Sequence, residues 1–143
     1  MFLYLDKAKF NKDIDLFSFD EIIICPSNPY VSINPMLQLS SLQNHLKKFP
    51  EKVTVISPIV NSKSLKGPTA KMMLELGHEI SVNTIGEFYK NYSQRIFIDN
   101  ADKENSDFLA GVGYEVHYSN LVMNNTLSKN KLAENIIKVL EAK

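Results

Sequence analysis

Lys63, Lys66 and Lys71 fall within nine residues of one another, around a Gly67-Pro68 pair that leads into a helix-forming stretch. Proline favours the first turn of a helix, where the leading N–H groups lack intrahelical acceptors and attract anions. Ammonium groups beside such a start suit a bound phosphate, so Lys63, Lys66, Gly67 and Lys71 are candidate phosphate contacts. A solvated lysine face would show the same composition, and the Gly-x-x-x-x-Gly-Lys-Ser/Thr spacing of a Walker A loop is absent. A second polar segment, Pro26-Ser27-Asn28-Pro29-Tyr30-Val31-Ser32-Ile33-Asn34-Pro35, contains three prolines that fix φ and exclude strand pairing. Ser27, Asn28 and Ser32 are short side chains that donate and accept hydrogen bonds, which suits an oriented ligand such as a nucleotide. A plain strand-to-helix turn uses the same residues. The run Ile98-Asp99-Asn100-Ala101-Asp102 offers two carboxylates. Asp99 reads equally as a Mg²⁺ ligand or a cap, and Asp102 reads as the cap of a following helix.

Other reactive side chains point nowhere in particular. Cys25 is the sole cysteine, so an intrachain disulfide is excluded. It follows Glu21-Ile22-Ile23-Ile24 and is expected to be a buried, unreactive strand end, since none of His45, His78 and His117 is near it in sequence. Sixteen basic and sixteen acidic residues cancel. That balance argues against nucleic-acid binding, which normally leaves a basic stripe, and Lys47 with Lys48 fits the outer face of a helix. No apolar run approaches the ~20 residues that span a bilayer. The start, Met1-Phe2-Leu3-Tyr4-Leu5-Asp6-Lys7, lacks the basic region of a secretory signal, so a cytoplasmic protein without membrane partners is expected.

The elements that must hold these loops alternate. Short β-branched runs at residues 21–25, 53–57, 95–99 and 114–118 are bounded by turn formers and read as strands. Helical spacing of apolar residues marks 36–49, 70–76 with Gly77 beyond its end, 84–92, and 127–140 with Ser128 as cap. Residues 2–20 show no clear period. With 143 residues and 44% hydrophobic side chains, the chain is long enough for one α/β domain with a parallel sheet and right-handed crossovers. Ligands of such sheets bind beyond the carboxyl ends of the strands. The segments after Cys25, Ser57 and Asp99 are then the functional ones.

Taken in order, these motifs resemble the 2-phospho-L-lactate transferase family. The match consists of Cys25-Pro26-Ser27-Asn28-Pro29 followed by Ser32-Ile33, then Ser57-Pro58-Ile59. It continues with Lys66-Gly67-Pro68-Thr69-Ala70-Lys71-Met72-Met73, the strand end Phe97-Ile98-Asp99, and Met123 after the last strand. Regulatory nucleotide-sugar-binding proteins of the same superfamily usually show a Gly-Pro-Gly-Ser-like turn where this chain has residues 26–29. The resemblance implies a Rossmann-like fold and transfer of a 2-phospholactyl or enolpyruvyl phosphate group from a guanosine diphosphate conjugate to the deazaflavin Fo. GMP would be released, Mg²⁺ would assist, and the product would enter coenzyme F-420 biosynthesis. Two departures carry expectations of their own. Asn61-Ser62 stand where the family usually has glycines, which argues against close backbone approach to a phosphate there. Family members are also longer, with an N-terminal half carrying a glycine-rich turn and acidic residues, whereas the first glycine here is Gly67. The implied object is the C-terminal half of such an enzyme: a fragment, a split subunit, or a relative that only binds a nucleotide or partner. A sheet beginning there leaves an open edge, to be covered by the missing half or a homo-oligomer.

Overall fold

A computed structural model describes residues 7–65 and 67–142. Among the described residues there are six strands: β1 (Ile22–Ile24), β2 (Val53–Ile56), β3 (Ile59–Val60), β4 (Lys63–Ser64), β5 (Arg95–Asp99) and β6 (Glu115–Ser119). Four of them form one sheet in the order β1-β2-β5-β6, parallel throughout, with Ile22 opposite Val53, Thr54 opposite Arg95 and Arg95 opposite Glu115. The helices are α1 (Asn34–Leu37), α2 (Ser40–Lys48), α3 (Thr69–Glu75), α4 (Val82–Tyr89), α5 (Ser106–Gly111) and α6 (Thr126–Glu141). The arrangement is the expected α/β, Rossmann-like one.

Strand side chains alternate between two faces, and each face has its own core. Ile24, Val53, Val55, Ile96 and Ile98 pack with Leu46 of α2, Ile85 and Tyr89 of α4, and Leu109 of α5. Ile56 and Phe97 point the other way, against Leu132 and Ile136 of α6 and against Leu121. Near-continuous apolar strands are what burial on both faces requires. At the amino end of the sheet Arg95 is 4% exposed. Its guanidinium donates to the Glu21 carboxylate at 2.6 Å, to Thr54 Oγ1 at 3.1 Å and to the Glu51 carbonyl, so the buried charge is paired.

Several elements differ from expectation. The helix expected over 36–49 is broken: a π-helical turn at Pro29–Ile33 passes into α1, and Leu39 is extended (φ −76°, ψ 109°) before α2 starts. Leu37 and Leu46, on either side of the break, both reach the same core. The cap of α6 is Asn125 rather than Ser128. The Asn125 side chain accepts from the Ser128 N–H while the Ser128 hydroxyl accepts from the Asn125 N–H, a reciprocal capping box. Gly77 does end α3 in the left-handed region, with φ +76°. Cys25 is exposed, against expectation. β1 stops at Ile24, and Cys25 shares its side of the strand with Ile23, itself 42% exposed, on a face where α6 contributes no cover.

Residues 7–20, which lack a period, lie along α2. Asp15 caps a 3-10 turn at Leu16–Ser18, and the Phe17 ring meets His45 edge-on at 4.8 Å. A cavity of about 530 Å³ lies here between Phe10, Phe17 and Asn44, away from the strand ends that carry the family motifs.

Candidate functional site

Three loops meet beyond the carboxyl ends of the strands. After β1, Asn28 stands before the π-helical turn; its Oδ1 accepts from the Tyr30 N–H (2.9 Å) and the Val31 N–H (3.2 Å). Its carbonyl accepts from the N–H groups of Ser32 and Ile33. The side-chain amide donates to Met72 Sδ at 3.3 Å, which fastens this loop to α3. Asn28 thus builds the turn, as a capping residue does. Ser27 is half-buried and Ser32 exposed, and neither hydroxyl has a protein partner among the described residues.

After β2, the chain folds back on itself in a way the sequence reading does not anticipate. Ser57 is fully buried; its hydroxyl donates to the Ile59 carbonyl and accepts from the Ile59 N–H, holding Pro58 in a turn. β3 and β4 then form a two-residue hairpin with Val60 opposite Lys63. Asn61 (φ +49°) and Ser62 (φ +57°) both lie in the left-handed region, as a type I′ turn requires. This is a backbone shape that glycine adopts most readily, here taken by Asn61 and Ser62. The Leu65 N–H donates to the Pro58 carbonyl and closes the loop.

The acidic pair divides the work differently from expectation. Asp99, not Asp102, is the cap: Oδ1 accepts from the Ala101 N–H (3.0 Å) and Oδ2 from the Leu121 N–H (2.8 Å), tying the end of β5 to the loop after β6. Asp102, 6% exposed, accepts from the Asn61 N–H through both oxygens (3.1 and 3.0 Å) and anchors the hairpin. Burial pushes the Asp102 carboxyl above the usual range, reinforced by the nearby Asp99 and Glu104 charges and opposed by the Asn61 bond.

The lysines are not all alike. Lys63, on β4, is exposed and unpaired among the described residues. Lys71 lies 3.6 Å from Glu75 in an exposed pair one helical turn apart. Lys66 lies outside the described residues. Gly67 is left-handed (φ +67°), and Pro68 is the N-cap of α3 rather than part of its first turn. Thr69, which starts α3, is 1% exposed and its hydroxyl has no partner among the described residues. The sequence reading missed this residue, though its place directly after the Lys66-Gly67-Pro68 segment marks it.

Convergence of the loops is seen at a cavity of about 110 Å³ lined by Pro26, Leu65, Leu121, Val122, Met123 and Asn124. It joins the segments following β1, β4 and β6, so motif residues far apart in the chain share one surface. The chain's similarities to known proteins run through the same segments. Residues 15–141 match the family model of the 2-phospho-L-lactate transferase CofD. The chain is 42% identical over 118 residues to the 2-phospho-L-lactate transferase of Methanocaldococcus jannaschii, covering 82% of this chain and 36% of that protein. It is 35% identical over 118 residues to the enzyme of the same name from Methanococcus maripaludis strain C5, with 82% and 37% covered. With that of Methanococcoides burtonii it shares 29% identity over 124 residues, covering 87% and 40%. The chain therefore spans well under half the length of these relatives.

Proposed function

This chain belongs to the 2-phospho-L-lactate transferase family, and on that premise we propose that it supplies nucleotide- and phosphate-facing loops to a transferase of coenzyme F-420 biosynthesis. The group moved is 2-phospholactyl or enolpyruvyl phosphate, the donor a guanosine diphosphate conjugate, and the acceptor the deazaflavin Fo. The ribityl hydroxyl of Fo attacks phosphorus, loses its proton as the new P–O bond forms, and GMP departs with the electrons of the bond that breaks. Such chemistry rests on positioning and charge neutralisation.

The observation that carries this reading is the meeting of the family motifs on one surface beyond the strands' carboxyl ends. Ser27, Ser32 and Thr69 bring hydroxyls without protein partners among the described residues, and Lys63 brings a cation unpaired among them, with Lys66 three residues on in sequence. Lys71 stays available, because an exposed pair such as Lys71–Glu75 is weak. Asn28 and Gly67 shape the loops. Asp99 and Asp102 commit their carboxylate oxygens to backbone N–H groups, and no metal-holding cluster of three His, Cys, Asp or Glu residues occurs among the described residues. Each of these oxygens already accepts at least one backbone N–H, so in this proposal neither aspartate is assigned as a Mg²⁺ ligand. In this proposal Mg²⁺, which would neutralise phosphate charge, is held by the remainder of the family fold. Among the described residues no helix is long and apolar enough to cross a membrane, in keeping with the cytoplasmic placement proposed here.

The same commitment of both aspartates favours one rival reading, a nucleotide-binding module without catalysis. Calorimetric titration of the chain with GDP, and separately with the deazaflavin, tests both. Saturable GDP binding that weakens in Lys63→Gln and Ser27→Ala but not in the α2 control Lys47→Gln is expected. No turnover by the chain alone is expected either. Absence of GDP binding would sink both readings. Turnover restored by adding the rest of a family enzyme separates the transferase from the module.

A further inference from the structure

His45, in the last turn of α2, is 6% exposed, and neither of its ring nitrogens has a hydrogen-bond partner among the described residues. A neutral imidazole carries one N–H donor and one acceptor, and burial without partners disfavours both. What covers the ring is aromatic. Phe17 meets it edge-on at 4.8 Å, Phe49 lies at 5.1 Å, and the two phenyl rings are 5.7 Å apart. Phe49 closes α2 itself, whereas Phe17 arrives from the segment before β1 and is 67% exposed. That segment is internally bonded at Asp15, which accepts from the N–H groups of Phe17 and Ser18. Lys52 donates to the Phe19 carbonyl at 3.4 Å, and from Glu21 onward the Arg95 pair holds the chain.

We propose that residues 10–19 form an acid-released latch: with His45 neutral they lie on α2 through Phe17, and protonation of His45 frees them while the sheet stays in place. Protonation turns the acceptor nitrogen into a second donor and adds a charge, and neither is met beneath Phe17. Water meets both once the phenyl ring lifts away. Release ends at Glu21, which Arg95 retains.

The charged groups that face the ring are Lys52, just before β2, Asp15 on the segment and Lys48 on α2, with Lys12 lining the same cavity. Burial pushes His45 below the ordinary imidazole value; Lys52 and Lys48 add to this, and Asp15 opposes them. The carboxyl end of α2 favours a cation at this position, but it does so whether the segment is docked or free, and cancels in the difference. The docked ring thus binds its proton more weakly than the free one. Docking is undiminished above the ordinary histidine value. It weakens as pH falls below that value, by up to about tenfold per pH unit, until the lowered docked value is reached. Nothing in this latch depends on nucleotide binding.

The test is amide hydrogen exchange of the 143-residue chain, followed by NMR between about pH 7.5 and about pH 5 and corrected for the intrinsic exchange rate. A three-residue turn does not hold by itself, so the Phe17 and Ser18 N–H groups report docking. Their protection should fall about tenfold or more across this interval, while Val55 and Ile96 in the sheet keep theirs. His45→Leu should protect the segment at least as well, independently of pH. Phe17→Ala should remove the protection at every pH. Protection that is absent or constant with pH in the native chain, a fall that persists in His45→Leu, or an equal loss at Val55 and Ile96 overturns the proposal. Should His45→Leu fail to fold, the His45 ring protons decide: a lower titration midpoint in the native chain than in Phe17→Ala supports the latch, and equal midpoints overturn it.

Discussion

The two ends of the sheet differ in what their polar side chains meet. At the amino end, the Arg95 guanidinium is buried and has Glu21, Thr54 and the Glu51 carbonyl as partners. At the carboxyl end, the hydroxyls of Ser27, Ser32 and Thr69 have no protein partner among the described residues, and Lys63 stands exposed. Ser27 and Ser32 reach solvent, whereas Thr69 Oγ1 is buried without a protein partner among the described residues, as are both ring nitrogens of His45 between Phe17 and Phe49. The contrast separates the residues that hold the sheet together from those without a protein partner among the described residues.

The most severe way to break this contrast is to attack the amino end. Glu21→Ala leaves the Arg95 charge without its carboxylate and should cost about 3 kcal/mol in urea unfolding, the lower end for a buried pair because Glu21 keeps some solvent contact. GDP affinity of the folded fraction should not change. A loss of affinity as large as the loss of stability would show that the two ends are not independent.

Asp102 tests the border between the roles. Asp102→Ala leaves the Asn61 N–H without its acceptor and should cost about 1–3 kcal/mol. Asp102→Asn keeps one acceptor oxygen and isolates the titration. The native carboxyl is raised above its unfolded value, so the folded state holds this proton more tightly. Its contribution to stability is present below the ordinary aspartate range and is lost as pH rises toward the raised native value. Melting of the native chain should therefore fall relative to Asp102→Asn across that interval; a pH-independent difference would refute the assignment.

Asn28→Ala should destabilise by about 0.5–2 kcal/mol, the usual consequence of losing a cap. Weakened GDP binding with unchanged melting would instead make Asn28 a ligand contact. The smallest expected effect belongs to Lys71→Gln. Its exposed pair with Glu75 should contribute at most about 0.5 kcal/mol, so melting hardly moves, while a contribution to phosphate binding would appear in the GDP titration.

Much of this architecture is legible in the residues. Isoleucine- and valine-rich runs mark β1, β2 and β5, and prolines mark the loop after β1, because both act through local geometry. The hairpin of β3 and β4 is hidden because its turn uses Asn61-Ser62 in place of the glycine that usually signals positive φ. Asp99 and Asp102 are interchangeable as caps in sequence. Only the positions of Leu121 and Asn61, 22 and 41 residues away, settle which does what. Cys25 looks buried because the run before it is apolar, but burial also needs a covering layer, and among the described residues α6 packs on Ile56 of β2 and Phe97 of β5 but on no residue of β1.

Because the sheet order β1-β2-β5-β6 follows the order of the chain, each strand emerging during synthesis has its neighbour already present. The Glu21–Arg95 contact nonetheless spans 74 residues. A nascent chain that has not yet reached Arg95 holds Glu21 and Thr54 without their guanidinium, and its β2 lacks one of the two strands that flank it. The arrival of β5 closes that long-range contact and both flanks of β2 together.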